Sequence, residues 1–214
     1  MKVLITGFDP FGGDKINPAY EAVKLIPAKV AGADVVKEEL PTVFGKCAVV
    51  LESLIEKHQP DAVLCIGQAG GRSNITVEKV AINLAEARIP DNENNQPSDQ
   101  PIVDGGPPAY FTTLPIKAMV KTINNNGIPA GVSYTAGTFV CNDIMYRLLH
   151  MCAQKYPKIR GGFIHVPFDT AQVIERPVGT PSMPVATIAE GLEYAIEAIA
   201  AHDKDIGGLA GETH

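Results

Sequence analysis

Several features that the sequence lacks narrow the function before any motif is considered. It has no run of about 18 or more apolar residues, so we expect no membrane-spanning segment. Its formal net charge of −6 argues against a general nucleic-acid binder, which would carry a basic patch. The apolar stretch at the start is short and is broken by Asp9 and Pro10, so we expect no signal peptide.

Cysteine is scarce, and its four positions are scattered along the chain: Cys47, Cys65, Cys141 and Cys152. None of them forms a C-x-x-C pair, which disfavours both a disulfide framework and a zinc site. The pattern is more typical of a reduced, cytoplasmic protein. No H-E-x-x-H motif and no cluster of Cys and His is present, so we expect no metal.

The common fingerprints of nucleotide binding and of serine hydrolases are also missing. The chain contains no G-x-G-x-x-G, and no G-K-[ST] follows the glycine-rich segment GFDPFGG. It contains no G-x-S-x-G, which disfavours a serine hydrolase of the nucleophile-elbow type. We therefore expect no cofactor.

The composition and the apolar pattern indicate one layered α/β domain over residues 1–214. Apolar residues make up 45% of the 214 residues and charged residues 20%, which is ordinary for a globular protein. Short apolar runs predict strands at about 2–6, 34–40, 61–66, 75–84, 130–135 and 160–166. Helical spacing and caps predict helices starting at Asn17–Pro18, at about 44–58 and 115–126, starting near Cys141, and at about 184–202. Strands that alternate with helices favour a mostly parallel sheet.

Two segments depart from this alternation. Residues 86–114 are polar and rich in Pro and Gly, and loops of that length in compact domains are usually functional or mobile. We expect residues 203–214 to form a frayed tail.

Four segments are predicted to follow strands at one edge of the sheet. Sites in open α/β sheets form where the strands end, at their carboxyl edge. The segments are GFDPFGG, GQAGGR, TAGTFVC and HVPFD. Because these segments are rich in glycine, aromatic and reactive residues, we expect the site there.

Cys141 is the candidate nucleophile at that edge. It lies where a helix is predicted to begin, and unpaired N–H groups and the helix dipole lower the pKa of a thiol in that position. Its own backbone N–H would be free to stabilise an oxyanion. The other three cysteines fit a buried structural role, which is the more common one for cysteine.

His165 is the candidate general base, because it ends an apolar strand at the same predicted edge. A third group should orient its imidazole, and Glu78, Asp143 and Asp169 are all candidates. Spacing does not choose among them. Glu78 would share a strand face with Val80 and Ile82, and a carboxylate on an apolar face needs a partner that a histidine could supply.

Five motifs occur in one order over roughly residues 1–200 and together resemble the pyroglutamyl peptidase I family. They are TGFDPFGG, GQAGGR, ITVEKVAINLAEARIPDN, SYTAGTFVCN and GGFIHVP. The resemblance implies a cytoplasmic cysteine peptidase that removes N-terminal pyroglutamate from peptides and proteins. It also implies a three-layer α/β/α sandwich with a mostly parallel, twisted open sheet, and a homotetramer.

Carried over motif by motif, the resemblance assigns roles to particular residues. Cys141 would be the nucleophile, His165 the base, and Glu78 the carboxylate that orients the imidazole. Arg88 would lie on the oxyanion side of the site. The substrate-binding residues would be Phe8, Phe11, Gln68, Phe139 and Val140. Pyroglutamate is a flat, neutral lactam, and a site for it needs apolar walls and a few amide hydrogen bonds.

One departure from the family pattern adjoins Glu78. Many members have an arginine after this glutamate, and here the residue is Lys79. We expect it to alter a local ion pair without removing activity.

Two other functions are compatible with the same α/β pattern. A binding module could hold a nucleotide or phosphorylated metabolite by using GFDPFGG and GQAGG as anion-binding nests. An inactive homologue acting through its surface is the other, although the joint presence of Glu78, Cys141 and His165 weighs against it.

Overall fold

The computed structural model describes residues 1–208 and residue 210. Nine strands and five α-helices lie within residues 1–208. The strands are β1 (Lys2–Phe8), β2 (Lys29–Val30), β3 (Ala33–Leu40), β4 (Ala62–Gln68), β5 (Ile75–Glu78), β6 (Val80–Ile82), β7 (Ala109–Phe111), β8 (Ala130–Ser133) and β9 (Arg160–Val166). The helices are α1 (Pro18–Leu25), α2 (Lys46–His58), α3 (Ile116–Asn125), α4 (Val140–Gln154) and α5 (Val185–Ala201). A short 3₁₀ helix covers Thr170–Val173.

Seven strands form one sheet in the order β2-β3-β1-β4-β9-β5-β8, and β6 pairs with β7 in a separate two-stranded sheet. The central strands β3, β1, β4 and β9 are parallel to one another. In contrast, β5 is antiparallel to β9, and β8 is parallel to β5. The sheet is therefore mostly parallel, as predicted.

The direction of β8 corrects one prediction. Because β8 runs against β1, β4 and β9, its carboxyl end does not lie at the edge where those three strands end. The expectation that TAGTFVC follows a strand at the same edge is therefore wrong. Cys141 reaches that edge because residues 134–139 lead from β8 to the start of α4.

Two apolar cores lie on opposite faces of the sheet. Val3 and Ile5 of β1 pack with α1, α3 and α5, whereas Leu4 and Phe8 of the same strand pack with α2 and α4. Such alternation is what a strand buried on both faces produces. The fold is the three-layer α/β/α sandwich that the resemblance implied.

The predicted strand over 75–84 is in fact two strands in different sheets. At Lys79 the backbone N–H donates to Ser133 O, and the carbonyl accepts from Thr112 N. The chain then leaves the large sheet, and β6 pairs with β7. The alternation had suggested that Glu78 shares a strand face with Val80 and Ile82. That prediction is wrong, because Glu78 lies in the large sheet and the other two residues lie in the two-stranded sheet.

Local caps agree with the sequence at two helix ends. Asn17 precedes α1 in an extended conformation and its side chain accepts from Ala19 N at 3.1 Å. Gly127, two residues after α3, takes a left-handed conformation with φ of 82°, as glycine does where a helix stops.

Two segments predicted to be irregular have more contacts than expected. Residues 86–114 contain β7, and Gln100 forms an isolated bridge with Ala85. In the predicted tail, Asp205 accepts hydrogen bonds from Lys117 N and Ala118 N at the start of α3. Residues 209 and 211–214 of that tail lie outside the described residues. No helix in the described part of the chain has both the length and the apolarity that crossing a bilayer requires.

Candidate active site

Cys141 and His165 both lie near the carboxyl ends of the two central strands β4 and β9. Gly67 of β4 is the register partner of His165 in β9. A Cβ placed on Gly67 would lie 2.8 Å from Cys141 Sγ and 2.7 Å from Phe163 Cζ. Only a glycine leaves room for the thiol here, so the sulfur lies directly beside the strand residue that neighbours His165. No hydrogen bond within the described residues joins the thiol to the imidazole.

His165 has one carboxylate partner. Its Nδ1 is 2.7 Å from Glu78 Oε1, and both side chains are buried, with 5% and 0% of their surface exposed. Thr76 of β5 is the register partner of His165, which places Glu78 on the same face of the sheet two residues further on.

The other two carboxylates left open by spacing lie elsewhere. Asp143 accepts from Gly45 N and from Arg147 Nε, so it joins the turn before α2 to α4. Asp169 caps the 3₁₀ helix through Ala171 N and also accepts from Val185 N. Neither contacts His165.

Arg72 also contacts Glu78, and no role was predicted for it from the sequence. Its Nη1 is 2.6 Å from Glu78 Oε1 and also donates to Thr76 Oγ1. Its Nη2 donates to Thr135 O at 3.2 Å. This arginine is the last residue of the segment GQAGGR. Its contact with Glu78, six residues later, depends on how the turn folds and could not be predicted from the spacing.

Burial and the neighbouring charges set the protonation of the site. Burial alone would raise the pKa of Glu78, but its hydrogen bond and charge interaction with His165 and the nearby Arg72 charge together lower it. Burial lowers the pKa of His165 below its usual 6.5, against the opposing effect of Glu78 and with a further lowering from Arg72. The resting pair is therefore an ionised Glu78 and a neutral imidazole near neutral pH.

The thiol is not activated in the way its helix position suggested. Burial and, to a smaller extent, the Glu78 carboxylate raise the pKa of Cys141 to about 12. The Arg72 charge and the backbone N–H of Cys141 act in the opposite direction but are outweighed. The predicted low pKa is therefore wrong for the resting chain, because desolvation at this depth exceeds the effect of the helix terminus.

The start of α4 leaves a free backbone donor at Cys141. Asn142 N and Asp143 N both donate to Phe139 O, and no side chain caps this helix. Within the described residues, the N–H of Cys141 has no acceptor. It is therefore available to a negatively charged oxygen that forms next to the sulfur.

Every residue predicted to bind substrate lines a small cavity beside Cys141. It is lined by Phe8, Phe11, Asn17, Thr42, Gln68, Phe139, Val140 and Cys141. Asn17 and Thr42 were not predicted from the sequence as residues of the site. Neither was Phe44, whose ring packs edge-on against Phe139 at 5.3 Å between centroids. The cavity measures about 10 Å³, which holds at most one water, so a ring can enter only if the lining side chains move apart.

Gln68 lines this cavity, whereas Arg88 does not. The side-chain amide of Gln68 already has protein partners, since Gln172 Nε2 donates to its Oε1 at 2.9 Å. Arg88 is exposed and lines a separate cavity of about 590 Å³ that shares Phe11 and Phe139 with the first. This larger cavity offers space for the part of a ligand that extends away from the sulfur.

In the described part of the chain, no group of three or more His, Cys, Asp or Glu side chains could hold a metal ion.

Comparison with known proteins gives consistent relatives over the whole length. The sequence model of the pyroglutamyl peptidase family matches residues 1–202. The chain is 60% identical over 214 residues to a pyrrolidone-carboxylate peptidase of Enterococcus faecalis, covering 100% of both chains. It is 58% identical over 211 residues to a pyrrolidone-carboxylate peptidase of Clostridium perfringens, covering 99% of each. Among solved structures, pyroglutamyl peptidase I from Bacillus amyloliquefaciens aligns with a TM-score of 0.94 and 53% identity, covering 97% of this chain and 98% of that one.

Proposed function

Because this chain belongs to the pyroglutamyl peptidase family and is a cysteine-type omega peptidase that removes N-terminal pyroglutamate, we propose that Cys141 is its nucleophile, His165 its general base and Glu78 the residue that orients the imidazole. The observation that carries this assignment is the buried 2.7 Å contact between His165 and Glu78, beside a thiol that fits only because residue 67 is glycine.

The first chemical step is proton transfer coupled to attack. The ionised Glu78 holds the proton on Nδ1 of His165, which leaves Nε2 of the neutral ring as the base. Since the thiol is protonated at rest, Nε2 takes its proton as the sulfur attacks the pyroglutamyl carbonyl carbon. Contacts of this kind are often long without substrate and shorten in the complex.

The intermediate then loses the peptide. A C–S bond forms, the carbonyl π-electron pair moves to oxygen, and the backbone N–H of Cys141 stabilises that oxyanion. The family resemblance assigns Arg88 to the oxyanion side. The C–N bond breaks as the imidazolium gives its proton to the leaving amine. Water, deprotonated by His165, hydrolyses the thioester, releases pyroglutamate and restores the thiol.

Specificity for the lactam follows from the walls of the small cavity. Phe8, Phe11 and Phe139 offer apolar surface to the flat ring, and Val140 lies next to the nucleophile. Gln68 supplies polar atoms for the ring amide. No charged side chain lines this cavity within the described residues, which suits a substrate end that has no free amine.

The test is release of a fluorophore from a pyroglutamyl amide, with a prolyl amide as control. We expect selective release by the wild type and loss of about 10⁴-fold or more in kcat/KM for Cys141→Ser. Cys152→Ser is the matched control, because Cys152 is a buried cysteine of the same helix, and it should keep wild-type kcat/KM. Activity that survives in folded Cys141→Ser would disprove the assignment of the nucleophile.

We also propose that the chain is cytoplasmic and that it forms a homotetramer. The first proposal is supported by four free cysteines, as reducing compartments keep them. The second follows the family resemblance, and the largely exposed Ile174 and Val178 offer apolar surface that association would cover. Cell fractionation and light scattering of the purified chain test them, and a monomer at micromolar concentration would refute the tetramer.

A further inference from the structure

Arg72 reaches the buried centre of the site from the turn between β4 and β5. Gly71 takes a left-handed φ of 91°, and Arg72 N donates back to Ala69 O at 3.3 Å, so the turn is tight. The arginine side chain then extends along β5, past Thr76, to Glu78. The Arg72 side chain is partly buried, with 27% of its surface exposed.

Glu78 depends on this arginine for its charge balance. Its Oε1 contacts His165 and Arg72, and its Oε2 has no hydrogen-bond partner among the described residues. A fully buried carboxylate is costly to keep ionised without a paired cation. His165 is neutral in the resting site and carries a positive charge only after it has taken the thiol proton. Arg72 is therefore the permanent cation at Glu78.

We propose that Arg72 is a positioning residue for the peptidase reaction: it fixes Glu78 against His165 and keeps that carboxylate ionised whenever the imidazole is neutral. This inference rests on the proposed roles of Cys141, His165 and Glu78. It adds a fourth group that does not touch the substrate and that acts through Glu78.

Lys79 does not perform this task, although it is the next residue in the chain. Its Nζ lies over the Phe111 ring, 5.5 Å from the centroid, on the side of β6 and β7. The lysine found where many family members have an arginine therefore makes no ion pair with Glu78. The ion pair is made instead by a residue from the preceding turn.

The electrostatics give Arg72 a signature in the pH dependence. The ionisable groups that face one another here are Arg72 on the turn, Glu78 on β5, His165 on β9, Cys141 on α4 and Cys65 on β4. The Arg72 charge lowers the pKa of Glu78, of His165 and of Cys141. Removing a positive charge makes the coupled Glu78–His165 pair bind its proton more tightly. The acidic limb of kcat/KM, which reports loss of the neutral imidazole, should then move to higher pH.

Three variants test the proposal with the full chain and the pyroglutamyl amide between about pH 5 and pH 9. Arg72→Gln should lower kcat/KM at its plateau by roughly 10- to 100-fold and move the acidic limb to higher pH. Arg72→Lys keeps the charge but loses the two-pronged contact, so it should leave the acidic limb in place and lose less activity. Lys79→Met removes the positive charge that follows Glu78 in the sequence, and it should change neither the acidic limb nor the plateau kcat/KM.

Circular dichroism and urea unfolding show whether each variant is folded. A folded Arg72→Gln protein whose acidic limb of kcat/KM lies at the wild-type pH would overturn the proposal. A Lys79→Met protein whose acidic limb moves as far as that of Arg72→Gln would overturn it as well. An Arg72→Lys protein whose limb moves like that of Arg72→Gln would also contradict it, because the charge would then not be the cause. Activity in Cys141→Ser would instead refute the triad, so the two failures are distinguishable.

Discussion

At the scale of single residues, one missing side chain decides where the Cys141 thiol lies. Gly67 pairs with His165 across two parallel strands, and the space that a Cβ would fill is occupied by Cys141 Sγ on one side and Phe163 on the other. The imidazole ring also packs against Phe163, at 4.8 Å between centroids. The thiol, the imidazole and an apolar ring therefore share a space that any larger residue at position 67 would disrupt.

Gly67→Ala should separate the effect of placing the Cys141 thiol on activity from the effect of packing on stability. The new methyl group would displace the thiol, so we expect kcat/KM to fall by about 100-fold or more. Overpacking should lower the free energy of unfolding by about 1–3 kcal/mol. Fluorophore release and urea unfolding measure the two effects.

Gly161→Ala is the matched control for that substitution. It also adds a methyl group to a central strand, with Leu148 Cγ 3.0 Å from the new Cβ, but it lies away from the thiol. It should lower stability and leave kcat/KM unchanged. Equal losses of kcat/KM in the two variants would show that general strand disruption is responsible.

At the scale of elements, the N-terminus of α3 is capped by a residue that is distant in the sequence. α3 begins after Pro115 and has no side-chain cap from its own flanks. Asp205, beyond α5, supplies the carboxylate that accepts from Lys117 N and Ala118 N. A carboxylate at a helix N-terminus is favoured both by these donors and by the helix dipole. The segment 203–208 therefore stabilises a helix that lies far from it in sequence.

Asp205→Ala should lower the free energy of unfolding by about 1 kcal/mol, the usual cost of losing an N-terminal cap. Asp203→Ala removes the same charge from an exposed position two residues earlier and should change stability by less than about 0.5 kcal/mol. Urea unfolding of both variants gives the comparison. Equal effects would mean that the tail contributes through net charge rather than through the cap.

At the scale of the whole molecule, buried ionisable groups limit stability at both ends of the pH range. His165 and Glu78 have pKa values below 6.5 and 4.5, so the folded chain binds fewer acid protons at these sites than the unfolded chain. The four cysteine thiols, in contrast, hold their protons more tightly in the folded chain than in the unfolded chain. Burial raises the pKa of Cys65 to about 12 and that of Cys152 to about 11, from 9.0. Cys47 and Cys141 are shifted the same way.

The sign of each effect predicts a stability maximum between about pH 6.5 and pH 9. Below about pH 6.5 the unfolded histidine takes up a proton that folded His165 resists, so stability falls as pH falls, and Glu78 adds to this below about pH 4.5. Glu39 and Glu193 oppose this loss because burial raises their pKa values, although Glu39 is exposed and Glu193 only partly buried. Above about pH 9 the unfolded thiols ionise while the folded ones stay protonated, so stability falls again.

Urea unfolding at about pH 5, 7.5 and 10 measures this profile. His165→Gln removes one titrating group and should reduce the slope between about pH 5 and pH 6.5 while leaving the alkaline loss unchanged. A wild-type free energy of unfolding that does not change from about pH 7.5 to pH 5 would contradict the acidic part of the prediction.

The sequence alone predicts most of the elements. All five helices and the main strands lie where apolar periodicity, Asn17 and Gly127 predicted them, because those signals depend on neighbours within one or two turns. It missed the short β2, β7 and the 3₁₀ helix, which carry too few residues for a periodic signal. Motif order, rather than periodicity, indicated the family.

The arrangement of the site depends on tertiary packing. Spacing left three carboxylates open, and packing put Glu78, not Asp143 or Asp169, against His165. It reversed β5 and β8 relative to β9, brought Arg72 to Glu78, and raised rather than lowered the pKa of Cys141. These outcomes depend on strand direction and on desolvation by groups far apart in the chain, and neither quantity is encoded in a local pattern of residues.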